Sequence, residues 1–413
     1  MSLARHLKPL RAVYAVAAAG SAARAAQAMH VSQPSVTRAV QSLEAALGTA
    51  LFERSSRGML PTPAGQAVVR RAGRALQHLA SAGPGPARAG AAAADWRASR
   101  LAASVGHRHL VAMLSLSQTL SETASARALA ISQPAVQQTL AQLEHLAGAA
   151  LFQRARRGLR LTEAGEALLR AAKLALSELA QADDELAAQH GLVQGRIVVG
   201  TLPFSTARLL PQAVDRVLRE HPDVSVTIVD GTWDALVHRL RQAELDLIVG
   251  ALRPSGPGAD LQQQPLFVDS LAVVARAGHP LARRARLRWA DLKGAAWVMP
   301  MPNTPAQAAF EQALAAAGLP LPPSPLRVNS ALMMQALVAQ GDRLAMMAPS
   351  QLRAEIGAGL LVALPLPVRH APRHIGLVRR AGDLPTPAVQ ALLDALAEVA
   401  ATIVAEAGRR GIA

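Results

Sequence analysis

The chain has 413 residues, room for two or three domains, and 43 basic against 28 acidic side chains give it a formal charge of +15 and a pI near 11.5. That excess suits a polyanionic partner, either nucleic acid or an anionic membrane surface. Aromatics at 2% leave almost no material for the ring stacking used on single strands and RNA, so duplex DNA is the fitting nucleic acid. Cysteine is absent, which excludes a disulfide framework, a thiolate metal site and a cysteine nucleophile.

Along the chain, Arg5, Lys8 and Arg11 precede an apolar stretch, residues 12–19, and imitate a secretory signal. Residues 10–19 read as a first helix, broken at Gly20, with Ser21 capping a brief second helix over 24–29. Ser32 caps a third helix, with Gln33 beside it and Pro34 in the first turn, where a missing N–H costs nothing. Val36, Val40, Leu43 and Leu47 recur at spacings of four, three and four and share its buried face. Ser35, Thr37, Arg38 and Gln41 then point outward, and their hydroxyl, guanidinium and amide groups suit base edges and phosphates in a major groove. Arg54, Ser55, Ser56, Arg57 and Gly58 form a basic turn placed to lie beside the phosphate backbone.

Residues 10–76 recur without a gap at 110–176, an offset of 100. Ser32-Gln33-Pro34, Leu43-Glu44, Leu51-Phe52, Arg54, Arg57-Gly58, Thr62 and Ala64-Gly65 each have an identical counterpart in the second copy. The counterpart of the apolar start lies inside the chain, so that segment is a folded helix in both places and not a cleaved signal. The copies differ in charge: residues 1–100 hold 13 basic and 3 acidic side chains, residues 101–190 hold 8 of each. Thr37 and Arg38 become Gln137 and Gln138, which with Gln133 could pair with adenine, or copy two could be purely structural. Its turn is nevertheless richer in arginine, with Arg154, Arg156, Arg157 and Arg160. Phosphate neutralisation therefore makes copy one the stronger DNA binder. After copy one, residues 81–100 are rich in Gly, Pro and Ala and read as a flexible linker. After copy two, Leu168, Ala172, Ala175, Leu179, Ala182 and Leu186 form a weak coiled-coil seam between two chains.

Gly20-Ser21, Ala25-Ala26, residues 31–36, Leu43-Glu44, Leu51-Phe52-Glu53-Arg54 and Thr62-Pro63-Ala64-Gly65 together resemble the winged helix-turn-helix signature of LysR-type transcriptional regulators. The resemblance implies a recognition helix over 32–47, a wing around 54–58 and a dimerising linker helix from Thr62. Ala22 stands where the family often has phenylalanine, and the family normally has one such domain where this chain has two. The expected organisation is a first winged helix-turn-helix at 1–80, the linker at 81–100 and a second winged helix-turn-helix with a long dimerisation helix at 101–190. The chain is expected to form a homodimer or a homotetramer; a dimer would present four heads, two of them on tethers, and gain avidity over an extended site. Twofold symmetry would predict dyad symmetry in the DNA.

From Gly195 strands alternate with helices, an α/β pattern. Strands are expected at 196–200, 224–229, 245–249, 271–275, 297–299, around Val328, at 344–347 and at 375–378, and helices at 205–218, 233–243, 306–317, 333–340 and 387–405. The strand ending at Gly200, Leu210-Pro211, residues 245–249, His279-Pro280-Leu281-Ala282 and Met346-Met347-Ala348-Pro349 resemble the LysR-type effector domain, itself similar to type 2 periplasmic binding proteins. The resemblance implies an effector-binding domain over 195–405, with one subdomain at 195–268 and 374–405, a second at 269–373, and a small-molecule effector in the cleft between them. Helix starts at Ser205-Thr206 and Asn303-Thr304 offer N–H groups that stabilise an anionic effector. Gly250, Asn329, Ser330 and Pro349 are further lining candidates.

No uncharged apolar run is long enough to span a bilayer; the longest, residues 294–310, holds Pro300, Pro302 and Pro305. Enzymatic readings find little: residues 83–86 lack the Lys-Ser/Thr of a phosphate loop, and Pro367 and Pro372 argue against a helical metal pair at His370 and His374. His107 and His109 read as loop residues without a carboxylate nearby. No cofactor or metal is expected. The chain as a whole reads as two copies of an all-α winged helix-turn-helix plus an α/β effector domain: a cytoplasmic, non-enzymatic regulator that binds double-stranded DNA and, by resemblance, recruits RNA polymerase. The competing class is a small-molecule binding or transport-related protein using only the C-terminal half.

Overall fold

A computed structural model describes residues 2–55, 58–82, 95–156, 158–203, 208–254, 256–322, 326–368 and 373–409, which form two compact units divided after Val193. In the first unit, copy one consists of α1 (Leu7–Ala19), α2 (Ala22–Ala28), α3 (Gln33–Leu47), a hairpin of β1 (Phe52–Ser55) and β2 (Gly58–Pro61), and α4 (Pro63–Ser81). A short helix, α5 (Arg100–Ser104), leads into copy two: α6 (His107–Thr119), α7 (Glu122–Leu129), α8 (Gln133–Ala147), the hairpin β3 (Phe152–Ala155) and β4 (Gly158–Leu161), and α9 (Glu163–Ala188).

The repeated residues are those that close each copy on itself. The Glu44 carboxylate accepts from the Leu51 N–H and that of Glu144 from the Leu151 N–H, both at 2.8 Å, tying the end of the third helix to the hairpin. Thr62 Oγ1 donates to Ala50 O and accepts from Gly65 N–H, and Thr162 repeats both bonds with Ala150 and Gly165. A Cβ on Gly65 would lie 1.9 Å from Leu51 O, and one on Gly165 2.1 Å from Leu151 O, so only glycine lets the linker helix start there. Ser21 and Ser121 cap α2 and α7. Ser132 caps α8, whereas the Ser32 hydroxyl pairs with that of Ser35 at 2.8 Å and makes no backbone cap.

Both copies share one apolar core, and this revises the expected tether. Residues 83–94 lie outside the described residues. The rest of the expected linker is packed: Trp96 is buried with its ring edge-on to Tyr14, and buried Arg11 donates to Ala102 O and Val105 O at the end of α5. Helices α4 and α9 lie antiparallel. Arg70 and Arg71 meet Glu185, while Arg74 and His78, further along α4, meet Glu178, further back on α9. The stripe Leu168, Ala172, Ala175, Leu179, Ala182 and Leu186 is buried within this unit, so the expected interchain seam is used inside one chain. His107 and His109 belong to α6, not to a loop: His109 is buried, its Nδ1 accepting from the Gly106 N–H that opens the helix.

The second unit contains, in chain order, β5 (Gly195–Thr201), α10 (Leu209–Glu220), β6 (Val224–Asp230), α11 (Trp233–Arg241), β7 (Leu247–Ala251), β8 (Leu261–Asp269), β9 (Ala272–Arg276), β10 (Ala296–Trp297), β11 (Met299–Pro300), α12 (Pro305–Ala316), β12 (Arg327–Val328), α13 (Ala331–Ala339), β13 (Arg343–Met347), α14 (Arg353–Gly357), β14 (Leu361–Ala363), β15 (Arg373–Arg380) and α15 (Pro387–Arg409). One sheet has strand order β6-β5-β7-β15-β8, the other β10-β13-β9-β14. The chain leaves the first sheet after β8 and returns at β15, so the subdomains are joined twice. The strand expected at 297–299 is two short ones: β10 pairs with β13 and β11 with β12. Strands β8 and β14 lie outside the expected set, since the Gln-rich and three-residue stretches carry little apolar alternation. Residues 387–406 are long and apolar enough to cross a membrane by length and composition, yet Leu392, Leu396, Ala400 and Ile403 are buried as α15 packs on α10, β5 and β8.

Candidate nucleic-acid interface and ligand cavity

On α3 the division of faces follows the heptad-like spacing. Val36, Val40 and Leu43 are buried, Leu47 packs against the same core, and Ser32, Gln33, Ser35, Arg38 and Gln41 are exposed, with Thr37 half-buried between them. Arg38 Nε donates back to Pro34 O at 3.4 Å, which holds the guanidinium over the first turn. In the wing, a Cβ on Gly58 (φ 115°) would sit 2.4 Å from Gly20 O, and Met59 N–H donates to that same oxygen. The glycine thus lets the hairpin seat on the end of α1. Arg57 and the Arg54 side chain lie outside the described residues.

Copy two repeats this scaffold with other chemistry. Gln133, Gln137 and Gln138 are exposed on α8, and Arg154, Arg156 and Arg160 on the wing, while Arg157 lies outside the described residues. Glu122, which replaces Ala22, accepts from Gln137 Nε2 at 2.5 Å and from Gln133 Nε2 at 3.4 Å. A carboxylate therefore orients the Gln133 and Gln137 amides and places a negative charge beside them.

In the second unit a cavity of about 820 Å³ lies between the subdomains. The N-termini of α11, α12 and α13 all border it, through Thr232 to Asp234, Thr304 to Ala306 and Ser330 to Leu332. Thr304 Oγ1 accepts from Gln307 N–H and Ser330 Oγ from Met333 N–H, and the remaining first-turn N–H groups have no intrahelical acceptor. Asn303, Thr304, Asn329 and Ser330 line the cavity; Gly250 and Pro349 do not. Gly250 instead makes room for Leu202, which a Cβ would meet at 2.6 Å, and Pro349 opens the turn that carries Gln351 to the wall. Ser205 and Thr206 lie outside the described residues, and α10 starts only at Leu209.

Two arginines in the wall escaped the sequence reading. Arg253 stacks 5.2 Å over the Trp233 ring and its Nη1 donates to Asn303 O, bridging the subdomains; burial lowers its pKa, against the pull of Asp234. Arg373 is buried at the return crossover and donates to Asp269 Oδ2 at 3.0 Å, with the Ser350 hydroxyl on Asp269 Oδ1. Burial raises the Asp269 pKa and Arg373 opposes the rise. The only hints in sequence were an isolated arginine two residues beyond an apolar strand and another at the head of one. Among the described residues no group of His, Asp and Glu is arranged to hold a metal ion.

Comparison with known proteins adds relatives to this geometry. Residues 7–66 and 107–166 each match the bacterial regulatory helix-turn-helix protein, lysR family, and residues 190–401 match the LysR substrate binding domain. The chain is 35% identical over 401 residues to the HTH-type transcriptional regulator GalR of Pseudomonas putida, covering 95% of this chain and 97% of that protein, so the alignment runs through both copies. The HTH-type transcriptional regulator PcaQ of Agrobacterium fabrum is 30% identical over 293 residues, 71% of this chain and 94% of its own length. Among solved structures, full-length CbnR complexed with its target DNA has a TM-score of 0.53 at 20% identity, covering 71% of this chain and 99% of that one. A full-length single-residue variant of OxyR from Pseudomonas aeruginosa has a TM-score of 0.52 at 22% identity, covering 71% of this chain and 93% of that one. At that identity the structures speak for the fold.

Proposed function

The chain belongs to the LysR family of bacterial helix-turn-helix transcriptional regulators, and from that premise we propose which of its residues meet DNA and effector. On copy one, Ser32, Gln33, Ser35, Thr37, Arg38 and Gln41 read base edges in the major groove, with Arg54 and Arg57 on the flanking phosphates. On copy two, Gln133, Gln137 and Gln138 read bases and Arg154, Arg156 and Arg157 grip the backbone. The observation that carries this reading is the outward polar face of α3 over the buried Val36, Val40 and Leu43. Guanidinium favours guanine and glutamine favours adenine, so the two copies prefer different bases.

The effector occupies the cavity and carries an anionic group. Three helix N-termini and Arg253 supply partial and full positive charge there, and Trp233, Met301 and Leu332 supply apolar wall. Because Arg253 bridges to Asn303, a ligand seated between them shifts the closure of the two subdomains only in proportion to its preference for one state. Closure then alters how the heads engage DNA and RNA polymerase in the cytoplasm.

Fluorescence anisotropy with a labelled duplex taken from upstream of the chain's own gene tests the DNA assignment. Arg38→Ala is expected to weaken binding about 5- to 150-fold, the worth of one bidentate base contact. Equal affinity of the variant and the parent would remove Arg38 from the interface.

A further inference from the structure

We propose that the two heads of one chain form a single DNA-reading unit, so that one polypeptide binds two unlike half-sites in fixed order. The inference rests on the DNA-binding reading above and concerns how the heads are paired. Their linker helices α4 and α9 lie together inside one core, and the polar contacts between them are not interchangeable. Arg71, fully buried, donates to Glu178 at 2.9 Å, to Gln181 and to Glu185, and Arg74 donates to Glu178 at 2.6 Å. At the equivalent positions of the opposite copy stand Ala171 and Leu174 for the arginines, and His78, Ser81 and Gly85 for Glu178, Gln181 and Glu185. Two α4 helices packed in the same way would bury Arg71 without a carboxylate, and two α9 helices would bury Glu178 against Ala171 and Leu174. An unpaired buried charge opposes both like pairings, and only α4 on α9 closes.

Further contacts join the copies and exist in one direction only. Leu3 N–H donates to Asp183 at 3.1 Å, where copy one has Gly83, and Arg11 holds the α5 carbonyls where copy two has Val111. The reading faces so joined are unlike: Thr37 and Arg38 in the basic copy, Gln138 and a Gln137 bonded to Glu122 in the neutral one. A homodimer of the chain would carry two such units.

The chain has no cysteine, so Arg70→Cys with Glu185→Cys places two thiols at facing positions of α4 and α9, whose longer native side chains meet at 2.7 Å. Treated with a short bismaleimide, the full-length protein is expected to run on a denaturing gel as a cross-linked single chain. Ser2→Cys with Asp183→Cys repeats the experiment without touching the arginine cluster. A cross-linked product of two chains, or thiols that react singly in both variants, overturns the pairing. Selection from a random duplex library by the parent chain is then expected to return two different half-sites in one order. Arg38→Ala should relax one half and Gln137→Ala the other, whereas a site made of one half-site repeated, with both variants relaxing it equally, overturns the unlike reading. Enrichment of no duplex at all, with the single-chain cross-link intact, would bring down the DNA-binding assignment and leave the pairing of helices standing.

Discussion

At the scale of single residues, the two copies differ where one position must turn the chain. Gly20 ends α1 at φ 70°, and its counterpart Leu120 holds φ 51°, a left-handed backbone that crowds any Cβ. Leu120→Gly is expected to stabilise the chain by about 1 kcal/mol, read as a rise of a few degrees in the melting temperature. An unchanged or lower melting temperature would mean that contacts of the leucine side chain offset its own strain. Glu178 gives a second test. Burial pushes its pKa up, but His78 at 3.7 Å and the hydrogen bonds and charges of Arg71 and Arg74 outweigh that and hold it at about 2. Its stabilising contribution is thus complete above the ordinary carboxylate range and is lost as pH falls from about 4.5 toward 2. Thermal melts between pH 5 and 3 should show a steep loss that Glu178→Gln flattens; parallel curves would contradict the ion-pair cluster. Glu44, Thr62 and Gly65 were legible in the sequence because their partners lie within twelve residues and the pattern occurs twice. Arg71 and Glu178 were not, because they meet across 107 residues and each looks like an ordinary surface charge on its own helix.

At the scale of elements, α3 and α8 have the same buried face and different chemistry above it. Glu122 is the clearest chemical difference, since it ties down Gln137 and Gln133 and adds a negative charge to the exposed face that carries them. Glu122→Ala should tighten duplex binding severalfold at low salt, and Arg154→Ala should reduce the log-log salt slope by about one. If Glu122→Ala leaves affinity unchanged at every salt concentration, copy two does not face DNA. The third helix of each copy could be read from spacing alone, because periodicity reports a buried face wherever a helix has a single one. The cavity wall could be read only in part. Asn303 and Ser330 announce themselves as helix starts, whereas Arg253 and Arg373 reach the cavity from strand ends whose neighbours in space are distant in sequence.

At the scale of the whole molecule, the duplication was plain in the sequence, but the relation between its copies was not. The Gly- and Pro-rich stretch suggested a tether, although the apolar stripes on both flanking helices needed covering and found it in each other. Local breakers describe how a chain turns and say nothing of where its amphipathic faces dock. In the second unit, the Arg253 bridge to Asn303 O is one fastening between subdomains at the cavity, and Arg353 on α14 with Glu406 on α15 is another. Arg253→Ala should therefore both weaken binding of small carboxylates, measured by calorimetry, and blunt any change in DNA affinity that they cause. Retention of both would place the anion elsewhere.

Hydroxyl-radical footprinting of the full-length chain on the duplex upstream of its own gene, with the parent beside Arg38→Ala, bears most directly on the assignment of α3 to the major groove. Two protected segments are expected for the parent, with protection lost from one of them alone in the variant. Identical protection by both proteins, or none by either, would contradict it.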